Sequence, residues 1–175
     1  RRDLLQRLRL PFTVQAPRVD EHALRGESPR STACRLALAK AKVVAVEQPG
    51  ASVIGSDQVA DVDGEALSKP GTHEAALAQL TRMQGREVVF HTALAVIGLR
   101  GAHQVENVPT AVRFRVLPTE RLDAYLRAEQ PYDCAGAAKI ETLGITLVES
   151  VRSDDPTALI GLPLIRLTSM LAACG

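Results

Sequence analysis

The run Ser52-Val53-Ile54-Gly55-Ser56-Asp57-Gln58-Val59 sets a carboxylate just beyond Val53 to Gly55, a short apolar stretch that reads as a buried strand. A carboxylate at the tip of such a strand is costly unless it meets a cation, a metal ion or a proton to accept. Twelve positions on, Leu67-Ser68-Lys69-Pro70-Gly71 makes a turn that presents a lysine. Asp57 and Lys69 therefore read as the acid and base ends of one site for a phosphorylated substrate. Lys40 lies four residues from Leu36 and three from Ala37, near the buried edge of a helix. Lys139 and Glu141 sit in a loop of glycines and alanines, Cys134 to Gly144, whose amides could approach a ligand. Each candidate has a plainer alternative. Asp57 could cap a turn, Lys40, Lys42 and Lys69 could be solvated charges, and Asp20-Glu21 could be an acidic turn facing water.

The elements that must position these residues follow from pattern. Leu4, Leu5 and Leu8 recur at helical spacing until Pro11, and Phe12-Thr13-Val14 is a short strand candidate. Ser28-Pro29 opens a helix, hydroxyl as N-cap and proline in the first turn, running to about Glu47 with Ala33, Leu36, Ala37, Val43 and Val44 inward. After the Asp57 strand, Val59 to Leu67 reads as a small hairpin turning at Asp63-Gly64. Thr72 caps a helix carrying Ala76, Leu77, Leu80 and Met83. Glu87 to Leu99 and Gln104 to Leu117 read as two long strands; in the second, Val112, Phe114 and Val116 alternate with Arg113 and Arg115. A helix at Glu120 to Glu129, a strand at Ile145 to Val151 and a helix at Leu162 to Ala173 complete the chain. Mixed helices and strands without repeats predict an α/β fold with α+β character: one domain over residues 1–175, a twisted mixed sheet flanked by helices.

Bulk composition narrows the function classes. The 175 residues are 46% apolar and 23% charged with a formal net charge of +1, as in an ordinary globular protein. That charge balance argues against nucleic acid as a partner, which would want a concentrated basic face. No apolar run approaches the ~20 residues that span a bilayer. Cys34, Cys134 and Cys174 form no CxxC pair, which argues against a disulfide framework or zinc site and points to the cytoplasm. His22, His73, His91 and His103 are scattered without ligand spacing. Asp61-Val62-Asp63-Gly64 resembles the start of an aspartyl-phosphatase motif but lacks its threonine, and as a calcium loop it fails at Val59 and Pro70. Neither a P-loop nor a dinucleotide glycine fingerprint is present.

Taken together, the motifs resemble the Maf-like nucleotide pyrophosphatases over essentially the whole chain. The carriers are Val19-Asp20-Glu21, Glu27-Ser28-Pro29-Arg30, Leu36-Ala37-Leu38-Ala39-Lys40-Ala41 and Ser68-Lys69-Pro70, with Ser for the usual Gly. Gly55-Ser56-Asp57-Gln58-Val59, Tyr132-Asp133-Cys134-Ala135-Gly136 and the run from Asp155-Pro156 to Leu162-Pro163-Leu164 are similar to the 7-methyl-GTP branch. The family opens on a strand and a Ser-x-Ser-Pro-x-Arg-Arg turn. Arg1-Arg2 matches only its arginines, so a preceding strand and turn are expected. Gly136-Ala137-Ala138-Lys139-Ile140-Glu141-Thr142 departs from the branch's more polar loop while keeping Glu141.

The resemblance implies hydrolysis of the α–β anhydride of 7-methyl-GTP to the monophosphate and pyrophosphate. Asp57 would be the catalytic acid–base residue, Gln58 and Glu141 would help choose the base, and Arg1, Lys40 and Lys69 would bind phosphate. Asp57 and Glu21 would hold a divalent cation, magnesium or manganese, the preference of hard carboxylate oxygens. Tyr132 is the best-placed aromatic for stacking. A homodimer, a broader role on modified nucleotides, and a nucleotide-binding role in cell division are further implications.

Overall fold

The computed structural model describes residues 1–174. Ser28 caps the longest helix as its sequence predicts: its hydroxyl accepts from Ser31 N at 3.2 Å, and Pro29 opens α2, Pro29–Glu47. A short helix precedes it, α1, Arg2–Gln6. Phe12 to Val14, expected as a strand, takes no regular structure. Strand β1, Val53–Val62, turns at Asp63 and Gly64, both with positive φ, into β2, Glu65–Leu67. Thr72 then caps α3, His73–Met83, its hydroxyl accepting from Ala75 N at 3.2 Å. The hairpin β3, Glu87–Ile97, and β4, His103–Phe114, follows, then α4, Thr119–Glu129. Strand β5, Val148–Ser153, starts later than the sequence predicts, because Leu143–Leu147 forms a 3-10 turn instead. The last helix is α5, Leu164–Ala173.

The strands form a five-stranded sheet in the order β2-β1-β3-β4-β5. Every ladder is antiparallel, which corrects the expectation of a mixed sheet. The reason lies in the connections: two tight hairpins force antiparallel neighbours, and β3 returns beside β1 in the opposite direction after α3. A second correction concerns Asp57. The β1–β3 ladder runs unbroken from Val53 opposite Ile97 to Asp61 opposite Val89, so Asp57 lies within the strand and not at its tip. Val116, whose alternation with Arg113 and Arg115 predicts the dry face of the second long strand, lies past the end of β4 and is 78% exposed.

Strand alternation divides the molecule into two sides. On one face, Gly55, Asp57, Ala93 and Ala95 lie under α2, packed against Ala33, Ala37 and Ala41. Helix and strand come so close that a Cβ on Gly55 would overlap the Ala37 carbonyl oxygen and stand 2.9 Å from Ala41 Cβ. On the other face, Leu94 and Val96 pack with Leu4 of α1 and with Leu167 and Met170 of α5. Further along that face, Val62, Phe90 and Val112 pack with Leu80 and Met83 of α3 and with Leu122, Tyr125 and Leu126 of α4. None of the described helices is long and apolar enough to cross a membrane.

Candidate active site

A carboxylate inside a buried strand needs a partner, and the small-residue packing of α2 against β1 brings one. Lys40 Nζ lies 2.6 Å from Asp57 Oδ1. The same ammonium is 2.7 Å from Glu21 Oε1, and Glu21 Oε2 accepts from Lys69 Nζ at 3.0 Å. The side chains thus form a chain of alternating charge, Lys69–Glu21–Lys40–Asp57, graded from the exposed Lys69 to Asp57, whose residue is only 7% exposed. No described donor reaches Asp57 Oδ2, and that oxygen is not sealed from solvent.

Each member is held by its element. Lys40 projects from the fourth turn of α2. Glu21 sits in an irregular segment that α2 braces: Arg35 Nη2 donates to the His22 carbonyl at 3.0 Å, while Arg35 Nε and Nη2 reach Glu27 at 2.7 and 2.8 Å. Lys69 follows β2, in a turn tied down by Gln79 Nε2 to the Ser68 carbonyl at 2.9 Å and by Gly71 N to the Tyr132 carbonyl at 3.0 Å. Arg1 Nε donates to the Gly161 carbonyl at 2.9 Å.

The electrostatics follow from burial and pairing. Hydrogen bonds from Lys40 and then Lys69 hold the Glu21 carboxyl down at about 2. Burial lowers the Lys40 pKa, but its bonds to Asp57 and Glu21 outweigh that and leave it raised. Arg1 is exposed as a residue, yet its guanidinium is desolvated enough to lower its pKa, with the charges of Asp57 and Glu21 opposing that shift. A carboxylate and two ammonium groups at fixed spacing, with a guanidinium in their field, can take a proton and hold a polyanion.

Two residues assigned to base choice stand apart. Gln58 is on the reverse face of β1, its Nε2 2.8 Å from Thr92 Oγ1, 3.0 Å from the Leu159 carbonyl and 3.2 Å from the Ala158 carbonyl. Glu141 is exposed and makes no hydrogen bond or ion pair among the described residues. Its loop packs on the reverse face too, where a Cβ on Gly136 would lie 3.6 Å from Ala60 Cβ. Tyr132 is tied down at its hydroxyl, which is 3.0 Å from His73 Nδ1 and donates to the Leu126 carbonyl at 3.3 Å. A groove of about 640 Å³ between α3 and α4, lined by His73, Asp123 and Arg127 among others, contains none of the charge chain. Its cations are already paired with Asp123 and Glu65.

Sequence reasoning missed the framework around Arg1. Asp155, 2% exposed, accepts from Thr157 N at 2.9 Å and from Ile165 N at 2.7 Å, capping α5 and shaping the turn that offers the Gly161 carbonyl. Thr92, a lone hydroxyl in the apolar run of β3, donates to the Ala158 carbonyl of that turn at 2.9 Å. A hydroxyl bordering the apolar run Ala93 to Ile97 of β3 was the available signal.

A profile of the family described as "Maf-like protein" matches residues 1–174. A 7-methyl-GTP pyrophosphatase of Burkholderia thailandensis is 61% identical over 179 residues, covering 100% of this chain and 83% of the relative. Proteins of that name from Albidiferax ferrireducens and Cupriavidus metallidurans are 55% and 56% identical, each covering 100% of this chain and 88% of the relative. With a family match along its described length and relatives this similar, the chain belongs to the Maf family.

Proposed function

We propose that the protein is a nucleoside triphosphate pyrophosphatase that cuts 7-methyl-GTP between its α- and β-phosphates, giving the monophosphate and pyrophosphate. The observation that carries this reading is the Lys69–Glu21–Lys40–Asp57 chain, and the names borne by close relatives support the substrate. Lys40 fixes one Asp57 oxygen, leaving Oδ2 to accept the proton of an attacking water. As the anhydride P–O bond breaks, its electron pair goes to the departing pyrophosphate oxygen. Lys69 and Arg1 are the cations that stabilise that charge, and Lys40 adds to their field.

Asp57 and Glu21 suit a divalent cation, magnesium or manganese, that arrives with the nucleotide. Their convergence on one ammonium, at 2.6 and 2.7 Å, supports the fit. Among the described residues no group of three or more His, Cys, Asp or Glu forms a metal cage, and magnesium typically uses one or two carboxylates plus substrate phosphate. Bound there, the cation would polarise the phosphate oxygens.

A second reading keeps the chemistry and broadens the substrate to modified nucleotides. It draws on the position of Glu141 and Tyr132, the two base-reading candidates, outside the charge chain. Pyrophosphate release from 7-methyl-GTP, GTP, UTP and dTTP, with magnesium and with the metal chelated, tests both. The first reading expects 7-methyl-GTP to be cut fastest and chelation to stop turnover. Similar rates across the panel favour the second, and no release from any nucleotide rejects both.

A further inference from the structure

The ring of His73 and the hydroxyl of Tyr132 belong to a network that the proposed chemistry leaves unused. His73 Nε2 lies 2.8 Å from Asp123 Oδ1, and Nδ1 lies 3.0 Å from the Tyr132 hydroxyl, which donates to the Leu126 carbonyl at 3.3 Å. A tyrosine hydroxyl has one proton to give. With that proton on Leu126, Nδ1 must be the donor to the hydroxyl oxygen. Bonds from Arg127 and then His73 hold the Asp123 carboxyl below the usual carboxylate range, so Nε2 faces an anion and donates as well. Every bond in the chain is therefore made only around an imidazolium. A neutral ring that keeps its proton on Nε2 must accept at Nδ1, which draws the hydroxyl away from Leu126 and costs Tyr132 one of its two anchors. The other charges near the ring are Arg127 of α4, bonded to Asp123 at 2.7 Å, Glu74 of α3, and Arg82, which is paired with Glu65. Asp133, next to Tyr132, is turned to Lys139 at 3.6 Å. The N-terminus of α3 disfavours a cation at its first residue, and Asp123 opposes that effect.

The same tyrosine reaches the candidate active site through its backbone. Lys69 lies between two anchors: Gln79 of α3 donates to the Ser68 carbonyl at 2.9 Å, and Gly71 N donates to the Tyr132 carbonyl at 3.0 Å. The Lys69 side chain is mostly exposed, so these anchors, with Glu21, set where its ammonium stands. We propose that His73 and Tyr132 are positioning residues for Lys69: protonation of His73 closes a latch from Asp123 through Tyr132 to Gly71, which holds the lysine turn where it meets the phosphates. The proposal rests on the reading of Lys69 as a phosphate-binding cation. His73 lines the open groove between α3 and α4, so solvent protons reach the ring. Histidine is the side chain that changes charge between about pH 5 and 8. Acidification across that range tightens the latch, and a lysine fixed before substrate arrives loses less freedom on binding it.

The test compares the unaltered full chain with His73→Gln, which has no titrating proton, and Tyr132→Phe, which lacks the hydroxyl. Pyrophosphate release from 7-methyl-GTP with magnesium is measured from about pH 5.5 to about pH 8.5, each chain with and without Lys69→Met, and thermal melting checks folding. The kcat/KM advantage of the unaltered chain over either variant is expected to fall from about tenfold at the acid end to about twofold at the alkaline end. In the Lys69→Met background that advantage is expected to stay below about twofold throughout, since groups acting through one another are not additive. An advantage that does not change with pH, or that survives in full beside Lys69→Met, overturns the proposal. Hydrogen exchange of the Gly71 amide needs no turnover. Its protection, corrected for the intrinsic pH dependence of exchange, is expected to fall with rising pH in the unaltered chain. In both variants it is expected to be about tenfold lower at the acid end and independent of pH. Unchanged protection overturns the latch. If no nucleotide is hydrolysed, the reading of Lys69 falls and Gly71 protection still decides the latch. Tyr132→Phe carries the test alone should His73→Gln fail to fold.

Discussion

Lys40 and Lys69 both bind Glu21, at 2.7 and 3.0 Å, but their surroundings differ: their side chains are 16% and 61% exposed. Removing one partner of a buried ion pair leaves an uncompensated charge and costs about 3–5 kcal/mol, whereas an exposed pair contributes at most about 1 kcal/mol. Lys40→Met is therefore expected to lower the melting temperature sharply and Lys69→Met to leave it nearly unchanged, although both lose turnover. Asp57→Asn is expected to cut turnover about 10²–10⁴-fold, the range for a lost general base, while the protein still melts cooperatively. Glu21 sets a pH signature. Its carboxyl, held near 2 against an ordinary 4.5, contributes stability that is complete above pH 4.5 and fades as pH falls towards 2. Because Glu21 is half-exposed, that contribution is below about 1 kcal/mol, or a few degrees of melting temperature. Melting curves of Glu21→Gln across pH 2–7 are expected to start a few degrees lower at neutral pH and to meet those of the unaltered protein at the acid end.

At the scale of elements, the contact between α2 and β1 governs the site, because it places Lys40 over Asp57. Gly55→Ala would drive a methyl group into the Ala37 carbonyl and the Ala41 methyl. We expect it to cost at least the 1–3 kcal/mol typical of overpacking, read as a lower melting temperature, and to reduce turnover by shifting Lys40. Much of this element was legible in the sequence, since Ser28-Pro29 and the alanine spacing specify where α2 starts and which side it buries. The position of Asp57 within β1 was not legible. A carboxylate in mid-strand is acceptable only because Lys40 crosses from another element, and one chain read locally cannot show that pairing. Phe12 to Val14 failed for the complementary reason: a short apolar run is a strand only if a neighbour pairs with it, and none of the described strands does.

At the scale of the whole molecule, one face of the sheet meets α2 and the charge chain, while α1, α3, α4 and α5 cover the other. The helical coverage was legible as an α/β pattern, but the antiparallel order was not, because it depends on which strands meet after α3. The same division explains why Glu141 makes no hydrogen bond or ion pair with the Asp57 cluster among the described residues, although local motifs mark both. A divalent cation that Asp57 and Glu21 would hold together with bound nucleotide is expected to stabilise this arrangement by mass action. Saturation to about 100 times the dissociation constant would add about 2.7 kcal/mol. Melting with magnesium plus a non-hydrolysable triphosphate is expected to exceed melting with either alone.

Asp57 is held by the ladder that sets it opposite Ala93 of β3, in a strand that also carries β2 further along, whereas Glu141 lies in a loop. In the proposed enzyme the hydrolytic carboxylate and the base-reading candidate thereby belong to separate pieces of chain. Changes at the exposed Glu141 are expected to probe nucleobase preference while leaving the hydrolytic apparatus in place, whereas Gly136, Ala137 and Ile140 of the same loop are buried and tie it to the sheet.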